Sequence, residues 1–216
     1  RQLSVATNLG MFARDHRTHV GYTRVGKHVH NPRWRKDYLS AFAFDPRRKG
    51  LPAWVMVDLD RPGAKKRLAG YRVVIQNLRL IKEEGGKGVN VWTNPRRRRR
   101  WSEAALAMDG KGRVLFLFCR SPYRMIQWND LLLRLPLDIR RAQHLEGGPE
   151  ASLSVVGGGL RLHLMGSFES RFAEHDGNRW QFPLPNVLGV VRAAPAQRRR
   201  RSRRRRRPRR RRERGR

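Results

Sequence analysis

The residues best suited to chemistry are two carboxylates in a glycine turn, within the segment His144-Leu145-Glu146-Gly147-Gly148-Pro149-Glu150. Carboxylates held close together can act as general acid, general base or nucleophile. Pro149 disfavours helical backbone at Gly148, so Glu146 and Glu150 are not helix neighbours despite their spacing. The two glycines let the backbone approach a ligand closely. A hairpin turn with two solvated glutamates is the alternative that the local sequence leaves open.

Four histidines lie in the amino-terminal third of the chain: His16, His19, His28 and His30. Imidazoles at these spacings, with Asp15 nearby, could bind a divalent metal. The same segment carries four basic residues that oppose a cation: Arg14, Arg17, Arg24 and Lys27. A polar loop is therefore favoured, and no metal or other cofactor is expected. His16 is kept as a candidate substrate contact or proton carrier.

Other motifs give weaker signals. The glycine-rich stretches 83–88 and 157–159 lack the strand-to-helix setting of a phosphate-binding loop and are expected to be loops. Ser167 lacks the second glycine of a nucleophile elbow. Cys119, the one cysteine, excludes an internal disulfide and is expected to be a buried, unreactive thiol.

The elements that must position these residues are mostly strands. Apolar and alternating runs predict eight of them, at 3–7, 53–59, 71–78, 104–108, 113–119, 152–156, 160–164 and 187–191. Turn residues at 109–112 predict a hairpin over 104–119. One amphipathic helix is predicted at 127–135, with Trp128, Leu131, Leu132 and Leu135 on one face. The sequence thus predicts a single α+β domain, a mixed or antiparallel sheet wrapped around one or few helices.

Positive charge is concentrated at the end of the chain. The 216 residues have a formal net charge of +33, and residues 198–216 hold 15 arginines and one glutamate. We expect a domain over 1–193 and a disordered Arg-rich tail over 194–216, because like charges repel and bury nothing. The tail is either a solvated extension, a nonspecific contact for an anionic polymer, or an artefact of gene prediction. No apolar run approaches the roughly 20 residues that span a bilayer.

Three separated segments together resemble the phosphodiester glycosidase family. Asn8-Leu9-Gly10-Met11-Phe12 is similar to the Asn-x-Gly-x-Phe turn that opens the family domain. Leu145-Glu146-Gly147-Gly148 follows a strand and a helix, as the family's acidic Gly-Gly turn does. Asn186-Val187-Leu188-Gly189-Val190 is similar to its closing strand. The family turn usually reads Asp-Gly-Gly-Gly-Ser, so Glu146-Gly147-Gly148-Pro149-Glu150 indicates a divergent, bacterial-type subgroup.

The resemblance implies hydrolysis of the glycosidic bond of a sugar-1-phosphodiester. It implies Glu146 as nucleophile, base or electrostatic stabiliser and Glu150 as the second carboxylate. Asn8 would bind sugar hydroxyls or brace the turn. The expected substrate-binding residues are Asn8, Gly10, His16, Arg100, Arg120, Ser121, Gly147 and Gly148.

A phosphorylated carbohydrate is the implied partner, and a secreted or periplasmic location follows from the resemblance alone. The rival hypothesis is a noncatalytic binder of anionic glycan or nucleic acid on the same scaffold. An enzyme requires Asn8, Glu146 and at least one arginine around a single pocket, whereas a dispersed arrangement favours the binder.

Overall fold

The fold was analysed in a computed structural model that describes residues 3–167, 169–170, 173–174 and 181–192. The described residues form sixteen strands: β1 Leu3–Asn8, β2 Thr23–Val25, β3 His28–Asn31, β4 Ser40–Pro46, β5 Trp54–Asp58, β6 Tyr71–Asn77, β7 Arg79–Glu84, β8 Lys87–Asn90, β9 Trp101–Asp109, β10 Val114–Tyr123, β11 Ile139–Gly147, β12 Ser152–Gly157, β13 Leu160–Met165, β14 Glu169–Ser170, β15 Ala173–Glu174 and β16 Val187–Val191. The helices are α1 Ala64–Ala69 and α2 Met125–Arg134, and a 3₁₀ turn spans Gly148–Glu150.

The strands form three larger sheets and one small hairpin. Sheet I has the order β13-β12-β1-β16, sheet II the order β3-β2-β6-β4-β5, and sheet III the order β10-β9-β11-β7-β8, while β14 pairs with β15. All strand pairs in the described residues are antiparallel. The prediction of an α+β domain with an antiparallel sheet is confirmed.

Sheets II and III lie between the two helices. Side chains along each strand alternate between a face that packs in the central core and a face that packs against a helix. In β9, Ala104 and Leu106 join a central core to which all three sheets contribute, whereas Ala105 and Ala107 face α2. Sheet II is likewise covered by α1, whose Leu68 packs with residues of β4, β5 and β6. Each of these two sheets therefore buries both faces, which explains why its strands read as apolar runs with small residues.

Helix α2 begins two residues earlier than the sequence predicts. The Gln127 side chain accepts a hydrogen bond from the backbone N–H of Arg124, which closes the first turn. Its buried face is formed by Met125, Trp128, Asn129 and Leu132. Leu131 and Leu135, predicted on the same face, are instead 37% and 39% exposed. The buried face is therefore the i, i+3, i+4, i+7 stripe that starts at Met125.

The eight predicted strands and the 104–119 hairpin are all present. Gly85 and Gly86 form the turn between β7 and β8, and residues 157–159 join β12 to β13. Cys119 is a free thiol, but it is only partly buried, and burial raises its pKa. Neither helix of the described residues is long and apolar enough to span a membrane.

The boundary expected at residue 193 and the Arg-rich tail expected over 194–216 lie outside the described residues.

Candidate active site

A buried carboxylate–imidazole pair lies between two central strands of sheet III. His144 Nδ1 is 2.5 Å from Glu103 Oε1, and both side chains are almost fully buried. Trp101 Nε1 donates to the other Glu103 oxygen at 3.0 Å. Burial raises the pKa of Glu103 despite the attraction of His144. Burial opposes the imidazolium of His144, but the carboxylate outweighs it and the pKa of His144 is raised. Both groups of the pair therefore hold a proton more tightly than they would in water.

Glu146 is a carboxyl group whose pKa lies near neutral pH. Its side chain is half-buried at the end of β11, and burial raises its pKa to about 7. The neighbouring Glu150 and Glu103 add to this rise, while His144 and a hydrogen bond from the Gly147 N–H oppose it. A carboxyl group that is half ionised at pH 7 suits acid–base work.

A β-bulge sets the direction of Glu146. His144 pairs with Ala105, but Glu146 pairs with Ala104, so Leu145 is an extra residue in β11. Leu145 is fully buried in the central core. In regular pairing Glu146 would lie opposite Glu103, whereas here Gly147 takes that position. Bulges commonly redirect side chains beside active sites.

The glycines of the acidic turn permit close packing. A Cβ on Gly147 would lie 2.7 Å from Cδ1 of Trp101. Gly148 has φ +68, a left-handed conformation that favours glycine. The hydroxyl of Ser102 binds the carbonyl of Arg120, and its oxygen accepts the Ser167 N–H at 2.9 Å. The turn is thus packed against the beginning of β9.

Asn8 joins the amino-terminal turn to the acidic turn. Its Nδ2 donates to the Glu150 carbonyl at 2.9 Å, and its Oδ1 accepts the Ser152 N–H at 2.8 Å. Asn8 is 1% exposed, so in this structure it braces the turn.

Gly10 lies on the adjoining segment of the amino-terminal turn, where a Cβ would lie 2.2 Å from Oδ1 of Asn77 and 2.3 Å from Nε2 of His19. Asn77 Nδ2 donates to the Leu9 carbonyl at 2.9 Å. His19 is buried, and burial lowers its pKa. Its Nδ1 contacts the Gly21 carbonyl, and its Nε2 contacts Oδ1 of Asn77, the residue that binds the Leu9 carbonyl. Met11 follows Gly10 in the sequence, and its sulfur lies 4.0 Å from the Tyr38 hydroxyl, which donates to it. Burial raises the pKa of Tyr38, and the charge of Glu146 adds to this.

A pocket of about 580 Å³ lies beside His144. We call it the arginine pocket, lined by Met11, Leu78, Trp92, Asn94, Arg96, Arg97, Arg98, Arg99, Trp101, Met125, Ile126 and His144. Because Nδ1 of His144 is engaged by Glu103, Nε2 is the ring nitrogen left for the pocket. Neither Glu146 nor Asn8 lines this pocket, but Gly147, next to Glu146, packs against Trp101, which does.

The arginine-bearing loop between β8 and β9 is fixed at both ends. Trp92 Nε1 donates to the Arg79 carbonyl at 2.9 Å, and the Arg97 guanidinium lies 4.8 Å from the centre of the Trp92 ring. Arg79 is itself held by ion pairs to Asp58 and Asp60. At the other end, Trp101 is held by Glu103. Four exposed arginines are thereby presented at one pocket.

The other expected substrate-binding residues do not line this pocket. Arg100 is exposed next to the four lining arginines. The Arg120 carbonyl binds Ser102 beneath the acidic turn, and Ser121 is exposed. His16 is exposed in its own turn, with φ +52 and its ring 5.5 Å from that of Phe12. In the described part of the chain, no three His, Cys, Asp or Glu side chains are grouped to hold a metal ion.

Sequence reasoning missed Glu103, His144 and the two tryptophans of the pocket. The signal for Glu103 is a carboxylate leading directly into the apolar run Ala104–Met108, because a buried charge requires a partner. His144 was within the acidic segment but received no role.

Comparison with known proteins shows which family the chain belongs to. A family model described as Phosphodiester glycosidase matches residues 1–191. The chain belongs to the phosphodiester glycosidase family. The match spans the Asn8 turn, the arginine pocket, the acidic turn and β16, so one family domain contains all of them. No curated protein matches the sequence.

Among solved structures, this chain is similar to the catalytic domain of zebrafish N-acetylglucosamine-1-phosphodiester alpha-N-acetylglucosaminidase, auto-inhibited by pro-peptide. The TM-score is 0.54 at 15% identity, covering 89% of this chain and 64% of that one. This likeness supports the fold. A hypothetical protein from Synechocystis is also similar, with a TM-score of 0.43 at 13% identity, covering 74% of this chain and 48% of that one.

Proposed function

We propose that this protein hydrolyses the glycosidic bond of a sugar-1-phosphodiester. The observation that carries the proposal is Glu146, a half-buried carboxyl with a pKa of about 7 in a turn that packs against Trp101 of the arginine pocket. Family membership supplies the reaction class. The products are a sugar and a phosphomonoester.

In this proposal the ionised Glu146 acts beside the anomeric carbon. The C1–O bond to phosphate breaks and its electron pair stays on the phosphate oxygen. The oxygen of water bonds to C1, and the proton of that water goes to a carboxylate. The phosphomonoester is a stable anion, so it departs with little protonation. Glu146 therefore serves as base, nucleophile or stabiliser of the oxocarbenium ion, and Glu150 is the second carboxylate.

Cationic groups would stabilise the departing phosphate. His144 can donate to a phosphate oxygen through Nε2 as an imidazolium, the form that the Glu103 carboxylate favours by raising the pKa of His144. Glu103 is a positioning residue, since it fixes the imidazole from the opposite side. Guanidinium groups at 96–99 offer paired donors that match phosphate geometry.

The test is release of reducing sugar from synthetic diesters of N-acetylglucosamine, glucose and mannose 1-phosphates. We expect wild-type turnover, with kcat/KM rising as pH increases through about 7, and a loss of at least about 100-fold in Glu146→Gln. Glu84→Gln, an exposed glutamate on β7, is the matched control and keeps the wild-type rate. Equal rates in wild type and Glu146→Gln would remove Glu146 from the mechanism.

A noncatalytic binder of anionic polymers is the second candidate, favoured by the exposed arginines at 96–100. It predicts salt-sensitive binding to polyanions and no turnover of any diester. Turnover that depends on Glu146 excludes it.

A secreted or periplasmic location is also part of the proposal. Its support is family membership, and its test is fractionation of cells expressing the tagged protein.

A further inference from the structure

The arginine pocket has apolar walls below a cationic mouth. Six apolar side chains line it: Met11, Leu78, Trp92, Trp101, Met125 and Ile126. The four arginines come from a single loop that crosses it between Trp92 and Trp101. Such a combination suits a ligand with one anionic group and an apolar body, since each part meets its complement.

The pocket is poorly suited to the sugar itself. Sugar hydroxyls need acceptors as well as donors, but arginine only donates. Among the side chains that line the pocket, Asn94 has an acceptor to offer, whereas His144 is assigned as a donor to the phosphate. Glu146 and Glu150, in the acidic turn, offer carboxylate acceptors outside this lining. A buried hydroxyl without a partner is unfavourable, so the sugar belongs on the carboxylate side.

We propose that the arginine pocket binds the aglycone, the alcohol-derived half of the phosphodiester, and selects an apolar alkyl or aryl group. The phosphate then lies at the mouth of the pocket, between the arginines and the acidic turn. This inference rests on the proposed function and adds the class of aglycone to it. A second sugar as aglycone would place its hydroxyls against Met125 and Ile126.

The size of the pocket sets the expected strength of the preference. A volume of about 580 Å³ is within the range of sites that enclose small organic ligands. Each buried methylene strengthens binding about fourfold when it leaves water completely. Partial burial of a hexyl chain should therefore raise kcat/KM at least about tenfold over a methyl group.

The experiment compares diesters that share one sugar 1-phosphate and differ in the aglycone: methyl, hexyl, benzyl and a 6-linked glucosyl group. We expect the hexyl and benzyl diesters to be hydrolysed with at least about tenfold higher kcat/KM than the other two. Calorimetry with hexyl phosphate, methyl phosphate and hexyl glucoside gives a readout without turnover. Hexyl phosphate should bind most tightly, because it alone has both the charge and the chain.

A matched pair of variants locates the effect. Ile126→Thr, in the pocket lining, should reduce the hexyl-to-methyl ratio of kcat/KM at least about threefold. Leu131→Thr, on the exposed side of the same helix, should leave the ratio unchanged. Melting temperatures of both variants check that they are folded.

The outcomes separate the two claims. If no diester is hydrolysed, the proposed function fails. If methyl, glucosyl and hexyl diesters are hydrolysed equally, the function stands and the preference for an apolar aglycone is overturned. A hexyl preference that Ile126→Thr leaves intact, in a folded variant, would overturn the assignment of this pocket.

Discussion

The ionisation of one residue, Glu146, links activity to stability. Its pKa in the folded protein is about 7, above the ordinary value of 4.5, because burial disfavours the charged form. Between these two values the folded state binds more protons than the unfolded state. Stability conferred by the protonated carboxyl is therefore complete below about pH 4.5 and is lost as pH rises through about 7. The folded protein is therefore less stable when Glu146 is ionised, and the ionised carboxylate is the form proposed to react.

Glu146→Gln should remove this loss. Between pH 5 and pH 8, the free energy of unfolding of wild type should fall by about 2 to 3 kcal/mol more than that of the variant. Urea unfolding at several pH values measures the difference. Glu84→Gln, at an exposed site, should follow the wild-type slope. Parallel curves for wild type and Glu146→Gln would contradict the prediction.

At the scale of elements, the acidic turn depends on the close contact between Gly147 and Trp101. Trp101 connects that turn to Glu103, and Glu103 in turn orients His144. Displacement of the indole ring by a larger residue at position 147 would therefore disturb the buried pair through Trp101, in addition to any effect on the pairing of Gly147 with Glu103.

Gly147→Ala should lower both stability and activity. Its Cβ would lie 2.7 Å from the indole, and relief requires a shift of Trp101 that weakens the bond to Glu103. We expect a loss of about 1 to 3 kcal/mol, measured by urea unfolding, and a fall in kcat/KM. Gly26→Ala is the control for glycine replacement, since its Cβ meets nothing within 4 Å, although its φ of +63 carries its own strain. Wild-type kcat/KM in Gly147→Ala would show that Trp101 does not position the pair.

Local patterns predicted the acidic turn and eight of the sixteen described strands, and β11 is among the eight that they did not predict. The strand begins Ile139-Arg140-Arg141 and continues through Gln143 and His144, so it lacks an apolar or alternating run. Its polar residues are buried because distant partners satisfy them: Asp58 binds Arg141, and Glu103 binds His144. Glu103 meets His144 through the pairing of β9 with β11, whereas Asp58 of sheet II meets Arg141 of sheet III where the two sheets are in contact. No local pattern encodes either contact. The arginines at 96–99 were evident as charge, but their position over the pocket depends on Trp92 binding Arg79.

At the scale of the whole molecule, charge is distributed between a folded body and an arginine-rich end. Of the formal net charge of +33, residues 198–216 contribute +14, which leaves +19 for the remainder. The body is therefore basic without the tail, and the arginine pocket belongs to the body.

Deletion of residues 198–216 should leave the fold intact. A run of like charges has little apolar surface to bury, so we expect the melting temperature to change by less than about 2 °C. Hydrolysis of small diesters should also persist, whereas retention on heparin should fall to a lower salt concentration. Thermal unfolding of both proteins in the same buffer tests the first expectation. A large drop in melting temperature would show that the tail packs against the domain.

The position of β1 has a consequence for biosynthesis. β1 lies in the middle of sheet I, between β12 and β16, so its neighbours are encoded some 150 to 180 residues downstream. While a ribosome makes the chain, the Asn8 turn lacks these partners until β12 and β16 have been synthesised. The Asn8 turn therefore becomes ordered late in folding, and until then the nascent chain exposes β1 as an unpaired strand.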